Sequence, residues 1–129
     1  GIPDSLPALV KAYRIQDKVA NVGFDWERRE DVWEKVKEEL AEFEAEIANM
    51  DAEKATEEFG DVLFALVNAA RLYKIRPDNA LEKTNLKFMH RFNYIEQQAK
   101  AQNRRLEDMS PDEMESLWQQ AKQYDNDCR

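Results

Sequence analysis

The chain has 129 residues, of which 36% are charged and 43% hydrophobic, so it has room for one domain with a modest core and is not disordered by composition. No apolar run approaches the length of a membrane helix, and a net charge of −8 leaves no basic surface for nucleic-acid phosphates. We therefore expect a soluble protein that binds neither membranes nor nucleic-acid polymers. Only three Gly and four Pro interrupt segments rich in Ala, Leu, Glu, Lys and Gln, a composition that predicts an all-α fold.

The first predicted helix covers residues 5–22, with Ser5 as its N-cap, Pro7 in its first turn and Gly23 as its end. A second helix over residues 30–48 follows. Its apolar residues recur at steps of four and three, which predicts a buried face formed by Val36, Leu40, Phe43 and Ile47.

A tight turn centred on Met50 should separate this helix from the third, which Asp51 caps and which covers residues 52–73. The predicted buried face of the third helix consists of Phe59, Val62, Leu66, Ala69 and Tyr73. Residues 62–67 are apolar almost all round the helix, and one small protomer has difficulty covering them. We expect a homodimer that completes a bundle of about five helices.

The remaining two helices are predicted over residues 77–102 and from a capping box at Ser110–Glu113 to Tyr124. The residues expected to face inward from the fourth helix are Leu81, Phe88, Phe92 and Ile95. The single cysteine, Cys128, excludes an intrachain disulfide and a Cys-based zinc site, which favours a cytoplasmic location.

Acidic residues are concentrated between Glu27 and Asp61, where 14 acids and 5 bases leave the rest of the chain near neutral. Two acid pairs stand out within this segment, each spaced i, i+3 on one helix: Glu39 with Glu42, and Glu58 with Asp61. Both pairs lie about 80° and 140° to the same side of their helix's apolar face.

In an antiparallel hairpin, equal angular offsets place the two acid pairs on the same side of the hairpin. Along the chain, Glu39 and Asp61 are equally far from the turn at Met50, and so are Glu42 and Glu58. Four carboxylates should converge there, and a fold that gathers them invites a cation such as Mg²⁺, Mn²⁺ or Ca²⁺. The alternative is a solvated acidic face, because glutamate is a strong helix former and charge runs are common on exposed helices.

Lys83, Lys87 and Arg91 form a cationic stripe at i, i+4 spacing on the fourth helix. Such a stripe either binds substrate phosphates or pairs with the acidic hairpin as structural ion pairs. On the last helix, Trp118 and Lys122 lie one turn apart. They offer an aromatic plate beside a cation, although a tryptophan near Leu117 is more often part of a core.

The segments Glu38–Glu42 and Glu58–Asp61 resemble the EExxE and ExxD motifs of the all-α nucleoside triphosphate pyrophosphohydrolases, and more closely the MazG family. The resemblance includes residues 22–26, 61–68 and 85–92, and so extends over nearly the whole chain. Its opening residues 6–9 resemble the start of the C-terminal half of two-domain members. We therefore expect residues 1–129 to be one domain excised from a longer chain.

The resemblance implies the metal ligands Glu39, Glu42, Glu58 and Asp61, with Mg²⁺ as the cofactor, Mn²⁺ as a substitute, and Glu38 orienting or deprotonating water. It implies a substrate-binding set of Lys35, Lys54, Glu57, Lys87, Arg91, Trp118 and Lys122, with Trp118 against the nucleoside. The implied reaction is hydrolysis of a nucleoside triphosphate between its α and β phosphates. The alternative is a catalytically silent helical dimerisation module that keeps the acidic hairpin as a remnant.

Overall fold

A computed structural model of the chain describes residues 1–49 and 51–127. Within these residues the fold is all-helical, with five α-helices, two short 3₁₀ helices and no strand, which confirms the predicted fold class. The helices are α1 Ala8–Ala20, α2 Val32–Asn49, α3 Ala52–Leu72, α4 Pro77–Ala101 and α5 Pro111–Asp127. Met50, at the centre of the predicted turn, and Cys128 lie outside the described residues.

The chain divides into two compact units, Gly1–Ala80 and the part that begins at Leu81. In the first unit, α3 packs against both α1 and α2, and the 3₁₀ helix Arg29–Asp31 leads into α2. The α2–α3 hairpin that carries the acidic residues therefore belongs to one unit. The assignment of residues 1–129 to a single domain stays a prediction.

Two predicted helix caps form as expected. Asp51 Oδ1 accepts a hydrogen bond from the backbone N–H of Lys54 at 3.1 Å and so begins α3. At the start of α5, Ser110 Oγ accepts from the N–H of Glu113 at 3.1 Å, and Glu113 Oε1 accepts from the N–H of Ser110 at 3.2 Å. This reciprocal pair is the predicted capping box.

The start of α1 differs from the prediction, because Pro7 rather than Ser5 is the N-cap and makes no side-chain cap bond. A residue that precedes proline is disfavoured in the α region, so Leu6 cannot belong to the first turn. Gly23 has a φ of +100°, a left-handed conformation that suits glycine, just after the end of α1 at Ala20. The predicted end of α1 near Gly23 is thus confirmed.

The predicted buried faces of the hairpin are only partly buried in the protomer. Val62 and Ala69 of α3 are buried, whereas Leu40 and Ile47 of α2 remain 43% and 52% exposed. On α3, Phe59 and Leu66 are also nearly half exposed. The prediction of full burial is therefore wrong for these residues, because packing of α2 on α3 and of α1 on α3 leaves part of both faces uncovered.

The second unit has its own small core of Ile95, Ala99, Met109 and Leu117, with Phe92 and Trp118 packed against it. Ile95 faces inward as predicted. Leu81 and Phe88 are not buried as predicted, since Leu81 is 50% and Phe88 54% exposed, although the Phe88 ring contacts Trp118. No helix in the described part of the chain combines the length and the apolar character that crossing a membrane requires.

Candidate metal centre

Three carboxylates meet on one side of the α2–α3 hairpin. Glu39 projects from α2, and Glu58 and Asp61 project from consecutive turns of α3. One oxygen from each lies within 4.8 Å of the other two. Among the residues that the structure describes, this is the one group of three or more side chains able to hold a metal ion. The i, i+3 spacing on α3 and the hairpin geometry together place them there.

Glu42, the fourth predicted ligand, lies next to Glu58 but outside the group of three. It is exposed on α2, one turn beyond Glu39. The structure therefore brings three of the four predicted ligands together and places the fourth at the margin of the cluster.

Glu39 is the buried member of the cluster, whereas Glu58 is half-buried and Asp61 is exposed. Glu39 is only 7% exposed. Its Oε2 atom and Oε2 of Glu58 are buried without a hydrogen-bond partner. A buried carboxylate oxygen with no donor carries a large desolvation cost unless a cation compensates it. The donor set consists of oxygens alone, which fits Mg²⁺ or Mn²⁺ rather than zinc.

The electrostatics of Glu58 reflect the same crowding. Burial, followed by the charges of Glu42, Asp61 and Glu39, raises the pKa of the Glu58 carboxyl above its ordinary value. Both causes penalise the ionised form, so the metal-free cluster resists carrying its full negative charge. A bound cation would remove this penalty.

Lys35 lies at the edge of the cluster, one turn before Glu39 on α2. Its Nζ is 2.8 Å from Glu39 Oε1 and 3.6 Å from Glu38 Oε2. The hydrogen bond with Glu39 is the main cause that raises the pKa of Lys35. This lysine, predicted to contact phosphate, thus already neutralises part of the carboxylate charge.

The other predicted residues of the hairpin are exposed. Glu38 faces solvent beside Lys35, with 57% of its side chain exposed. Lys54 and Glu57 lie exposed in the first two turns of α3. These three side chains belong to the same unit as the cluster, but the three-carboxylate group does not include them.

The predicted nucleotide-binding residues of α4 and α5 lie in the second unit. Arg91 Nε donates to Asp125 Oδ2 at 2.9 Å, and its guanidinium lies 5.4 Å from the centre of the Trp118 ring. Trp118 also packs against Phe88 at a centroid distance of 5.1 Å. Lys87 and Lys122 are exposed.

The sequence does not identify Asp125 as the partner of Arg91. Its structural alternative to phosphate binding is an ion pair between the cationic stripe and the acidic hairpin. Asp125 lies 34 residues further along the chain, on a different helix. No local spacing rule connects two residues so far apart, so only the packing of α5 on α4 reveals the pair.

These features define a class of helical protein in which a hairpin of two helices offers clustered carboxylates to a cation. Residues 28–95 match the model of the MazG nucleotide pyrophosphohydrolase domain, which includes the whole hairpin and most of α4. The chain belongs to the MazG family. Trp118 and Lys122 lie beyond the matched residues.

Curated relatives extend the similarity over nearly the whole chain. A nucleoside triphosphate pyrophosphohydrolase of Escherichia coli strain K12 is 44% identical over 128 residues, which are 98% of this chain and 49% of the relative. The nucleoside triphosphate pyrophosphohydrolase/pyrophosphatase MazG of Thermotoga maritima is 38% identical over 91% of this chain and 45% of its own length. The chain thus spans about half the length of these relatives.

Proposed function

We propose that the chain hydrolyses nucleoside triphosphates to nucleoside monophosphate and pyrophosphate, with Mg²⁺ as its cofactor. The observation that carries the proposal is the convergence of Glu39, Glu58 and Asp61, two of which hold a buried oxygen without a partner. The printed names of the Escherichia coli and Thermotoga maritima relatives support the same reaction.

Glu39, Glu58 and Asp61 would hold the metal, and Glu42, beside Glu58, would complete the ligand set. Bound there, Mg²⁺ or its substitute Mn²⁺ supplies charge stabilisation at the phosphoryl oxygens and lowers the pKa of bound water. Magnesium held by a few carboxylates usually retains positions for water and substrate phosphates, so three or four acids suffice.

The chain's other residues would bind the triphosphate and manage the proton. Glu38 is exposed next to the cluster and would orient the water that attacks the α-phosphorus and accept its proton. The bond from the α-phosphorus to the bridging oxygen then breaks, and pyrophosphate leaves. Its charge requires cations, which we assign to Lys35, Lys54, Lys87, Arg91 and Lys122. We assign Glu57 to substrate binding and Trp118 to the nucleoside.

The decisive experiment measures which products form. Purified protein is incubated with ribo- and deoxyribonucleoside triphosphates and Mg²⁺, and pyrophosphate and orthophosphate are quantified separately. We expect pyrophosphate and monophosphate in equal amounts, and no turnover in the presence of a chelator. Release of orthophosphate with diphosphate would contradict the proposed bond cleavage.

Matched variants connect the activity to the cluster. Glu39→Gln and Asp61→Asn each remove ligand charge from the metal centre and should abolish turnover while helix content is kept. Glu44→Gln on α2 and Glu53→Gln on α3 make the same chemical change at exposed positions outside the cluster. They should retain activity. Full activity in both cluster variants would locate the metal elsewhere.

We further propose that two copies associate, because exposed apolar side chains concentrate on the hairpin. Leu40, Phe59, Leu63 and Leu66 are each between 41% and 48% exposed in the protomer. A second copy would cover them and complete the bundle. The silent dimerisation module remains the alternative to an enzyme, but a remnant needs neither the clustered carboxylates nor their buried oxygens. A cytoplasmic location and the absence of nucleic-acid binding stay predictions from composition.

A further inference from the structure

Lys35 is a cation that the chain itself supplies at the edge of the carboxylate cluster. Its Nζ lies 2.8 Å from Glu39 Oε1 and 3.6 Å from Glu38 Oε2. Among the ion pairs of the described residues, no other one includes Glu39, Glu58 or Asp61. Within the described part of the chain, Lys35 is therefore the single charged partner of the cluster when no metal is bound.

The two members of this ion pair differ in how firmly they are held. The Glu39 side chain is 9% exposed, whereas that of Lys35 is 43% exposed. Packing fixes the carboxylate, but the ammonium group reaches it from the surface at the end of a flexible four-carbon stem. Lys35 can therefore leave Glu39 by a rotation of its own side chain, without a change in α2.

A cation at the cluster would compete with Lys35 for Glu39. Oε2 of Glu39 and Oε2 of Glu58 are buried without a hydrogen-bond partner, so the cluster gains most from a cation that contacts these oxygens. Such an ion and the ammonium group would share the Glu39 carboxylate and carry like charges. The ion pair between Lys35 and Glu39 should therefore weaken when a divalent ion binds.

The triphosphate offers the displaced ammonium group a new partner. Magnesium held by a few carboxylates commonly binds substrate phosphates in its remaining positions, so phosphate oxygens would lie beside the same carboxylates. Lys35 already reaches one of these carboxylates. Its other neighbour, Glu38, is 57% exposed and 3.6 Å away. A charge-assisted bond to a phosphate oxygen is stronger than such an exposed contact.

We propose that Lys35 exchanges partners at the metal centre: it pairs with Glu39 in the metal-free protein and moves to a phosphate oxygen when the cation and the triphosphate bind. Lys35 thereby opposes binding of the cation alone and favours binding of the cation together with phosphate. It couples the two binding events, and the coupling is reciprocal by thermodynamic linkage. The inference rests on the proposed function, because it takes the phosphates to be those of the nucleotide.

Mn²⁺ binding in the absence of phosphate tests the first half of the exchange. Calorimetric titration with Mn²⁺ compares wild type with Lys35→Met. We expect the variant to bind Mn²⁺ about 3- to 10-fold more tightly, because the competing ammonium group is gone. Lys37→Met removes the same charge from α2, where Lys37 pairs with exposed Glu34 at 3.3 Å, and should bind Mn²⁺ like wild type.

Binding of inorganic pyrophosphate in saturating Mn²⁺ tests the second half. We expect Lys35→Met to bind pyrophosphate about 10- to 100-fold more weakly than wild type, because it lacks one charge-assisted bond. Lys37→Met should again match wild type. Lys35→Arg keeps a cation that pairs with carboxylate and phosphate alike, so it should restore both affinities. A merely structural role of Lys35 would not move the two affinities in opposite directions.

Two results would overturn the inference. An Mn²⁺ affinity that is unchanged or lower in Lys35→Met would show that the ammonium group does not compete with the metal. An unchanged pyrophosphate affinity would show that the ammonium group does not move to phosphate. Lys35→Gln removes the same charge with a polar side chain, so both titrations can be made even if Lys35→Met does not fold.

The inference and the proposed function fail in distinguishable ways, because neither titration involves turnover. The expected shifts in affinity without release of pyrophosphate from any triphosphate would contradict the proposed function alone. Release of pyrophosphate with an unchanged Mn²⁺ affinity in Lys35→Met would contradict the inference alone.

Discussion

Lys35 Nζ lies 2.8 Å from Glu39 Oε1, and this pair partly neutralises the carboxylate cluster before any cation binds. The two residues are one turn apart on α2, an arrangement that isolated helices already favour. Glu39 Oε2 nevertheless stays buried without a partner. Lys35 therefore compensates one oxygen of the ligand and leaves the other for a metal.

Replacing Lys35 by methionine should destabilise the metal-free protein and leave the Mg²⁺ form nearly unaffected. Without the ammonium group, buried Glu39 loses its only charge partner among the described contacts. Because Lys35 is exposed and solvent screens its charge, the free energy of unfolding should fall by only about 1 kcal/mol. Thermal melting in chelator and in Mg²⁺ measures the difference.

Lys37→Met is the control for this prediction, because Lys37 pairs at 3.3 Å with Glu34 and both side chains are largely exposed. Its melting temperature should change little in either condition. If Lys35→Met melts like wild type in chelator, the ion pair with Glu39 has no stabilising role.

Because of the capping box of α5, the free energy of unfolding should depend on pH in the acidic range. Hydrogen bonds from Arg104 and from the Ser110 backbone lower the pKa of Glu113 from 4.5 to about 2. A lowered pKa in the folded state stabilises the protein above pH 4.5, and this contribution disappears as the pH falls from 4.5 towards 2. Glu113→Gln should therefore flatten the stability profile across this interval.

Chemical denaturation at several pH values between 2 and 6 would measure that profile. Glu115→Gln makes the same acid-to-amide change on the same helix and should keep the wild-type slope. An unchanged slope in Glu113→Gln would show that the Glu113 carboxyl does not contribute to the pH dependence of stability, and would contradict the prediction.

Self-association should depend on the exposed apolar face of the hairpin. Light scattering at micromolar concentration should give twice the chain mass of 15.2 kDa. Leu66→Lys places a charge on a side chain that is 43% exposed in the protomer, so this variant should be folded and monomeric. Lys74→Glu alters charge at an exposed position after α3 and serves as the control. A monomeric mass for the wild-type protein would refute the homodimer.

Local features of the sequence predicted the fold well because they act over a few residues. The cap by Asp51 and the reciprocal bonds between Ser110 and Glu113 depend on three-residue spacings, and both form. The i, i+3 pairs predict that Glu39, Glu42, Glu58 and Asp61 converge, and the structure groups three of them, with Glu42 outside the group. The prediction of Ser5 as a cap is wrong, because residues 4–6 form a turn and α1 begins only after Pro7.

Tertiary contacts were not predictable from spacing. Gln16 reads as an ordinary polar residue of an amphipathic helix, yet packing of α1 on α3 buries it against the carbonyl of Phe64, 48 residues away. Leu40 shows the opposite error, since its place in an apolar stripe predicted burial and it is 43% exposed. Periodicity identifies an apolar face but not the element, or the second copy, that covers it.

The ion pair of Arg91 with Asp125 changes what a variant of Arg91 tests. The side chains of both residues are about 15% exposed, at 14% and 15%, so removing Arg91 leaves a mostly buried carboxylate and should lower the melting temperature. A stability loss in Arg91→Met therefore cannot exclude a phosphate contact. His90 Nε2, 3.3 Å from Asp125 Oδ1, compensates only when protonated.

Asp125→Asn separates the two roles of Arg91, because it breaks the same ion pair and keeps the guanidinium. If Arg91 binds phosphate, Arg91→Met should lose about 2 to 3 kcal/mol of transition-state stabilisation, or about 30- to 150-fold in kcat/KM. Asp125→Asn should lose stability to a similar extent and keep turnover within a few fold. Steady-state kinetics and melting curves on both variants decide the matter. Equal loss of turnover in the two would return Arg91 to a scaffolding role, in which its pair with Asp125 holds α5 against α4.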